Sequence, residues 1–323
     1  MGLVRRWRAT ERAELALGAL SATVLLLIAG MIAFVLVNAW PSFSHNGLSW
    51  FGSGGDVNSE LVDIFNSPGG RHVYTLHAWP LLFGTLLTTV FAVGLGLVFS
   101  VLTAVFIVEF APPSVSRVLR PVVRLLAAVP SVIYGLVALL ALSPWINDHL
   151  VSQSFKLQVN NIVPIGGNGL LLATVVLTVM VTPIMIAIIV DALAAVPRSW
   201  TEGSAALGVN RWRTMWRISV RTARPAIAAG VVLAAARALG EAIMLAMVSG
   251  SFGFSPNPLD GLHFFVEPVQ PLAATIVANA EGLSSKPFAQ TIYAFAAVLL
   301  FSSAALSLGG HLARRQVRRY GTR

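Results

Sequence analysis

Six apolar stretches, each long enough to cross a hydrocarbon layer as a helix, constrain this chain more than any other feature. They run over residues 15–39, 80–108, 121–142, 169–191, 225–249 and 289–312. A helix rises about 1.5 Å per residue, so a bilayer core of about 30 Å needs about 20 apolar residues. Without water to hydrogen-bond, a spanning segment must close its own backbone bonds, which leaves helices or a closed barrel, and runs this long read as helices. The predicted fold class is therefore an all-α membrane protein with six transmembrane helices. A mean hydropathy of +0.78, with 56% apolar and only 11% charged residues, excludes an ordinary water-facing surface. The second stretch is overlong and contains Gly84, Gly94 and Gly96, which predicts tilt or a bend at the Gly94–Gly96 pair. The first stretch follows Arg5, Arg6 and Arg8, exceeds a signal-peptide core and lacks a small-x-small cleavage site, so it reads as a retained span.

Arginine placement predicts the orientation. Of 22 Lys and Arg, 17 fall on one side: Arg5 to Arg12, Arg117 and Arg120, six between Arg198 and Arg224, and five from Arg314 to Arg323. The other side has Arg71, Lys156 and Lys286, while Arg124 and Arg237 fall inside apolar stretches. Cationic short loops stay on the cytoplasmic side, so both termini are expected there, in agreement with an even number of spans. The same scatter explains the pI near 11.1 without a nucleic-acid partner, which would need a gathered basic face. Absence of cysteine excludes a disulfide framework and a thiolate metal site.

Three outer loops are longer than simple connections. The first, 41–79, is rich in glycine and reads as irregular; the others cover 143–168 and 250–288. Pro271 to Glu281 is expected to form a short helix lying at the membrane surface. The loops either receive a partner or merely connect. His45, His72 and His77 accompany Asp56 and Asp63 in the first loop at spacings that fit no metal signature, so no metal is expected.

On the inner side, residues 197–224 carry helix punctuation. Ser199 and Glu202 fit a capping box, Gly208 suits a left-handed stop, and Asn210 can cap a second helix bearing Arg211, Trp212, Arg213, Trp216 and Arg217 before Pro225 opens the fifth span. This predicts a helix-turn-helix across the inner face, the alternative being an amphipathic interfacial loop. No Gly-rich stretch ends in Gly-Lys-Ser or Gly-Lys-Thr, and the only lysines, Lys156 and Lys286, lie in outer loops. The chain itself has no phosphate cradle for ATP.

Glu202, Ala205, Ala206, Gly208, Ile218 and Pro225 follow the spacing of the EAA loop of bacterial ABC importer permeases, and the chain resembles that family. The resemblance implies the type I (MetI-like) permease fold, with Glu202, Gly203, Ser204, Ala205, Ala206, Leu207 and Gly208 as a coupling helix in a groove of a separate ATPase. Two departures stand out: Gly203-Ser204 replaces the usual Ala-Ala, and Val220-Arg221 replaces Leu-Pro, which removes a helix breaker. Residues 125–135 (LLAAVPSVIYG), 237–241 (RALGE) and 272–276 (LAATI) resemble the PstC-type permeases of the high-affinity phosphate importer from about residue 80 onward. What this implies is a non-catalytic subunit in the bacterial inner membrane that binds no cofactor itself, ATP and Mg being used by the partner. Its partners would be a PstA-type second permease, a PstB-type ATPase dimer and a PstS-type extracytoplasmic phosphate-binding protein.

Arg237 has a physical case of its own. A phosphate anion needs a hydrogen-bonding cation on its path, and guanidinium offers a planar donor fork that never loses its charge. Glu241 is expected one turn further on the same helix face, neutralising Arg237 when the path is empty; the alternative is a structural salt bridge. Pro130 and Pro183 are expected to kink spans three and four, with Ser131, Tyr134, Thr178 and Thr182 supplying neutral hydrogen bonds to the path or to the freed carbonyls. Asp191 reads as interfacial. The expected organisation is an N-terminal segment with the first span and outer loop (1–79), a five-helix permease core (80–312) containing the coupling loop 197–224, and a basic tail (313–323). Competing readings are a permease for another oxyanion, such as phosphonate or sulfate, and a self-contained secondary transporter or channel.

Overall fold

The computed structural model describes residues 2–67, 73–151 and 166–320, with side chains described only between 13 and 311. Gly69, Gly70, Arg71, His72, Lys156 and Arg323 lie outside the described residues. Eleven helices order the described chain: α1 (Gly2–Asn46), α2 (Val57–Phe65), α3 (Trp79–Phe110), α4 (Pro113–Ala127), α5 (Ser131–His149), α6 (Leu170–Ala194), α7 (Arg198–Ala206), α8 (Arg211–Leu239), α9 (Ile243–Val248), α10 (Leu272–Ala278) and α11 (Lys286–Tyr320). Six of them, α1, α3, α5, α6, α8 and α11, are long and apolar enough to cross a membrane.

α6 is hydrophobic all round and lies at the centre, as such a helix must. It packs on α3 through Ala92, Gly96, Ser100 and Ala104, small residues repeating every fourth position and all buried. Lipid tails are as apolar as the helices, so association relies on close approach, which small residues permit. A Cβ at Gly96 would come within 2.7 Å of Met185 Cε. Ser100 Oγ donates to the Thr182 carbonyl at 3.1 Å across the same seam. α3 passes Gly94 and Gly96 as unbroken helix; Gly96 serves close contact with α6 instead of a bend, and Gly94 is exposed with no neighbour there. α8 covers another side of α6, with Gly230 against Ile188; α11 flanks α8, and α1 lies outermost along α11 with its apolar face bare, as a lipid-facing helix would be.

The third span begins later than its apolar stretch. α4 is a separate amphipathic helix, and the chain breaks over Ala128, Val129 and Pro130 before α5 starts at Ser131. Proline lacks an N–H and steers the residue before it away from helical geometry, so Pro130 ends one helix and begins another instead of kinking a continuous one. Arg124 consequently lies outside the spans, exposed on α4, with Nη2 3.4 Å from Asp191 Oδ1. Pro183, in contrast, sits inside uninterrupted α6.

The loop between α1 and α3 is folded where it is described. Asp56 caps α2 by accepting from the Asn58 and Ser59 amides, and Trp50, Val57, Leu61, Ile64 and Leu76 form an apolar cluster with Leu272, Phe288 and Phe295. Glu60 fastens the returning strand of chain, its Oε1 2.5 Å from His77 Nδ1. The irregular reading followed the glycines; burial of the intervening apolar residues overrides them. Among the described residues no group of His, Asp and Glu is placed to hold a metal.

The α10 helix forms where expected but not at the membrane surface. Val266 to Thr275 is buried without interruption, inserted beside α3, α9 and α11, and Thr85 Oγ1 accepts from the Leu272 amide at 2.9 Å. Small side chains let the segment enter the bundle. Within it, burial pushes the Glu267 carboxyl above its ordinary value of 4.5, and Asp260 adds to this, against the Asn257 amide and His263. The folded state therefore holds this proton to higher pH than the unfolded chain, and its contribution to stability is lost as pH rises from about 4.5 through the raised folded value. Glu267→Gln retains an acceptor for Asn257 and is expected to raise the melting temperature at pH 8 more than at pH 5; a pH-independent effect would contradict this.

Candidate translocation site and coupling face

The breaks in the third and fifth spans come together. α8 ends at Leu239, Gly240 follows, and α9 starts afresh at Ile243. α9 packs on the first turns of α5, where Gly135 admits it: a Cβ there would be 3.1 Å from Met247 Sδ and 3.3 Å from Met244 Cα. Tyr134 spans the other break, donating its hydroxyl to the Leu126 carbonyl at 3.0 Å and so satisfying an end group of α4. Ser131 is half-buried at the first position of α5.

Arg237 occupies the last turn of α8 and is exposed in this chain. α6 and α8 are antiparallel, so counting seven residues on from the Gly230–Ile188 contact puts Arg237 level with Val181, the middle of α6. Thr182 lies at the same depth but turns its hydroxyl to the Thr178 carbonyl at 2.7 Å and stands against Gly96, in the α3–α6 seam.

The expected Arg237–Glu241 pair on one helix face does not form. Gly240 ends the helix between them, and Glu241 turns forward to accept from the Met244 amide at 3.2 Å, capping α9. Among the described residues no carboxylate forms an ion pair with Arg237. A guanidinium at bilayer depth costs about 2.5–3.5 kcal/mol when it faces lipid, so the exposed side of Arg237 must meet a wet cavity or a partner chain.

At the arginine-rich face, α7 stands apart from the bundle. Gly208 takes φ +73°, the left-handed stop its sequence required, and Asn210 Oδ1 caps α8 through the Arg213 amide at 2.8 Å. The Ser199–Glu202 box is not made: Pro197 is the cap, so the helix already begins at Arg198 and places Ser199 past the capping position. The second short helix does not end at Pro225. Without a breaker at 220–221, α8 runs continuously from Arg211 through a π-helical turn, Met215–Ser219, into the span. Glu202, Gly203, Ala205, Ala206, Leu207 and Gly208 are exposed, with Leu207 84% accessible. Ser204 faces the other way: it is buried, 2.7 Å from Thr214 Oγ1, and fixes α7 to α8. Sequence reasoning passed over Glu109 and Ser219, which also meet here; Glu109 is the only acidic residue between Asp63 and Asp148, a signal that was available.

The chain is similar in sequence and in fold to known proteins. Residues 96–318 match the family described as "Binding-protein-dependent transport system inner membrane component". The chain is 34% identical over 244 residues to the probable ABC transporter permease protein YqgH of Bacillus subtilis, covering 74% of this chain and 72% of that one. It is 30% identical over 234 residues to the probable phosphate transport system permease protein PstC of Methanocaldococcus jannaschii, covering 71% and 70%. In fold it resembles a chain of the MetNI methionine ABC transporter in an inward-facing conformation, with a TM-score of 0.53 at 17% identity over 74% of this chain and 96% of that one. With broken helices meeting around an arginine and a small helix presented at the charged face, this chain belongs to the inner-membrane components of binding-protein-dependent transport systems.

Proposed function

We propose that the chain is the PstC-type permease subunit of an ATP-driven phosphate importer, with Arg237 on the translocation path and α7 as the contact for the ATPase. The observation that carries this reading is an exposed guanidinium, without a carboxylate partner among the described residues, at mid-bilayer depth beside two helix breaks. Broken helices place free backbone groups where a substrate can use them, and guanidinium recognises two phosphate oxygens at once. Relatives named as phosphate transport permeases favour phosphate over other oxyanions. The chain performs no bond chemistry.

In this reading both termini and α7 face the cytoplasm of a bacterial cell. A PstA-type permease completes the pathway across the bare faces of α5 and α8, and the 80–312 core encloses it. A PstB-type ATPase dimer, using ATP and Mg, moves α7 as its nucleotide sites close, and a PstS-type protein delivers phosphate at the outer face. α8 is one rod from the coupling contact to Arg237, so a shift of α7 carried through Ser204 and Thr214 reaches the anion site directly.

The absence of cysteine gives a clean test. Ala205→Cys and Ala206→Cys, both exposed positions, are expected to capture the ATPase with a thiol cross-linker in membranes containing all four proteins. Capture at neither position rejects α7 as the docking helix. A purified chain that carried phosphate down an ion gradient alone would favour the secondary transporter instead.

A further inference from the structure

Building on the coupling reading, we propose that Glu109, at the inner end of α3, is a positioning residue that makes α3 move together with α7 and α8. Two π-helical turns meet at this point, Phe106–Phe110 in α3 and Met215–Ser219 in α8. Such turns are rare, occur as single turns within α-helices and recur at functional sites. Here they bring the Glu109 carboxylate to Ser219, whose fully buried hydroxyl donates to Glu109 Oε1 at 3.3 Å. Arg211 donates to the Glu109 backbone carbonyl and lays its guanidinium 5.3 Å from the centre of the Phe110 ring. The Phe110 and Trp212 rings are 6.2 Å apart, and Trp212 continues to Trp216 at 5.7 Å.

The same turns of α8 hold α7 through Thr214 and Ser204. The coupling helix, the first turns of α8 and the last turn of α3 thus form one hydrogen-bonded unit. Its α3 end needs fastening, because Pro112 and Pro113 stop the helix directly after Phe110 and Ala111 and leave α4 on a separate course. α3 forms the small-residue seam with α6. A push on α7 that reached α8 alone would slide α8 against α6; delivered through Glu109 as well, it moves α3 in the same direction and opens the bundle as a pair of helices. A merely structural anchor does not require the two ends to remain together during the cycle.

The test uses the complete four-protein transporter in vesicles, reading phosphate taken up per ATP hydrolysed. Glu109→Ala is expected to lower this ratio about tenfold, and Glu109→Gln, which still accepts from Ser219, to restore most of it. In the cysteine-free chain, Glu109→Cys with Ser219→Cys should start from the low ratio and recover when a short reducible cross-linker joins the two thiols. An unchanged ratio in Glu109→Ala, or cross-linking that lowers the ratio further until a reductant is added, would overturn the proposal. Such failures leave the coupling reading standing as long as Ala205→Cys or Ala206→Cys captures the ATPase; without that capture both fall.

Discussion

Arg237→Gln is expected to reduce phosphate uptake roughly ten- to a hundredfold while the subunit still assembles with its partners. A hydrogen bond to a charged group contributes about 1.5–3 kcal/mol, and each 1.36 kcal/mol at the limiting step is a factor of ten. The substitution keeps the length and polarity of the side chain but removes the charge and the fork. Arg237→Lys should fall between, because a point charge remains while the second parallel donor is lost. Assembly is expected to survive because Arg237 makes no ion pair among the described residues, so removing it orphans no carboxylate. Glu241→Gln supplies the contrast: its oxygen caps the Met244 amide, a task that glutamine also performs, so uptake should change far less. Uptake by Arg237→Gln at the wild-type rate, with the complex intact by co-purification, would remove Arg237 from the path.

Gly135→Leu should be nearly as damaging, for a reason of packing. The nearest neighbours of a Cβ at this position include the Met244 backbone at 3.3 Å, which cannot rotate away as a side-chain end can. A leucine must push α9 off α5, at an overpacking cost of about 1–3 kcal/mol, and it parts the two breaks that stand around Arg237. The expected results are a lower melting temperature and at least a tenfold loss of uptake. Gly135→Ala presses Met247 and Met244 by only a few tenths of an ångström and should retain most of both. If leucine at 135 left uptake intact, contact between α5 and α9 would be irrelevant to transport.

Much of this protein was legible in its residues because the bilayer enforces a simple rule. Six apolar runs this long had to supply membrane helices, and six helices long and apolar enough to span stand among the described residues, although the third and fifth runs are broken within. Gly208 and Asn210 announced a stop and a start through local conformational chemistry that needs no neighbours. Glu202, Ala205 and Ala206 were legible as part of a short helix before that stop, and α7 carries them exposed.

What depended on distant partners was not legible. Pro130 looks the same whether a helix bends or ends; Tyr134 reaching back to Leu126 accompanies the ending. Glu241 stands four residues after Arg237, which promises a shared face only while the helix continues, and Gly240 stops it there. Ser204 sits among exposed neighbours in sequence, yet Thr214 draws it inward. Val266 to Thr275 carries enough prolines and small residues to pass for a surface loop, and only the gap beside α3, α9 and α11 shows that it is filled by this segment. Sequence alone determined which segments lie in lipid, because transfer out of water is decided residue by residue. Tertiary structure decided where those helices break and which polar groups meet at the breaks, because a backbone group released in one helix is satisfied by a side chain far away in the chain.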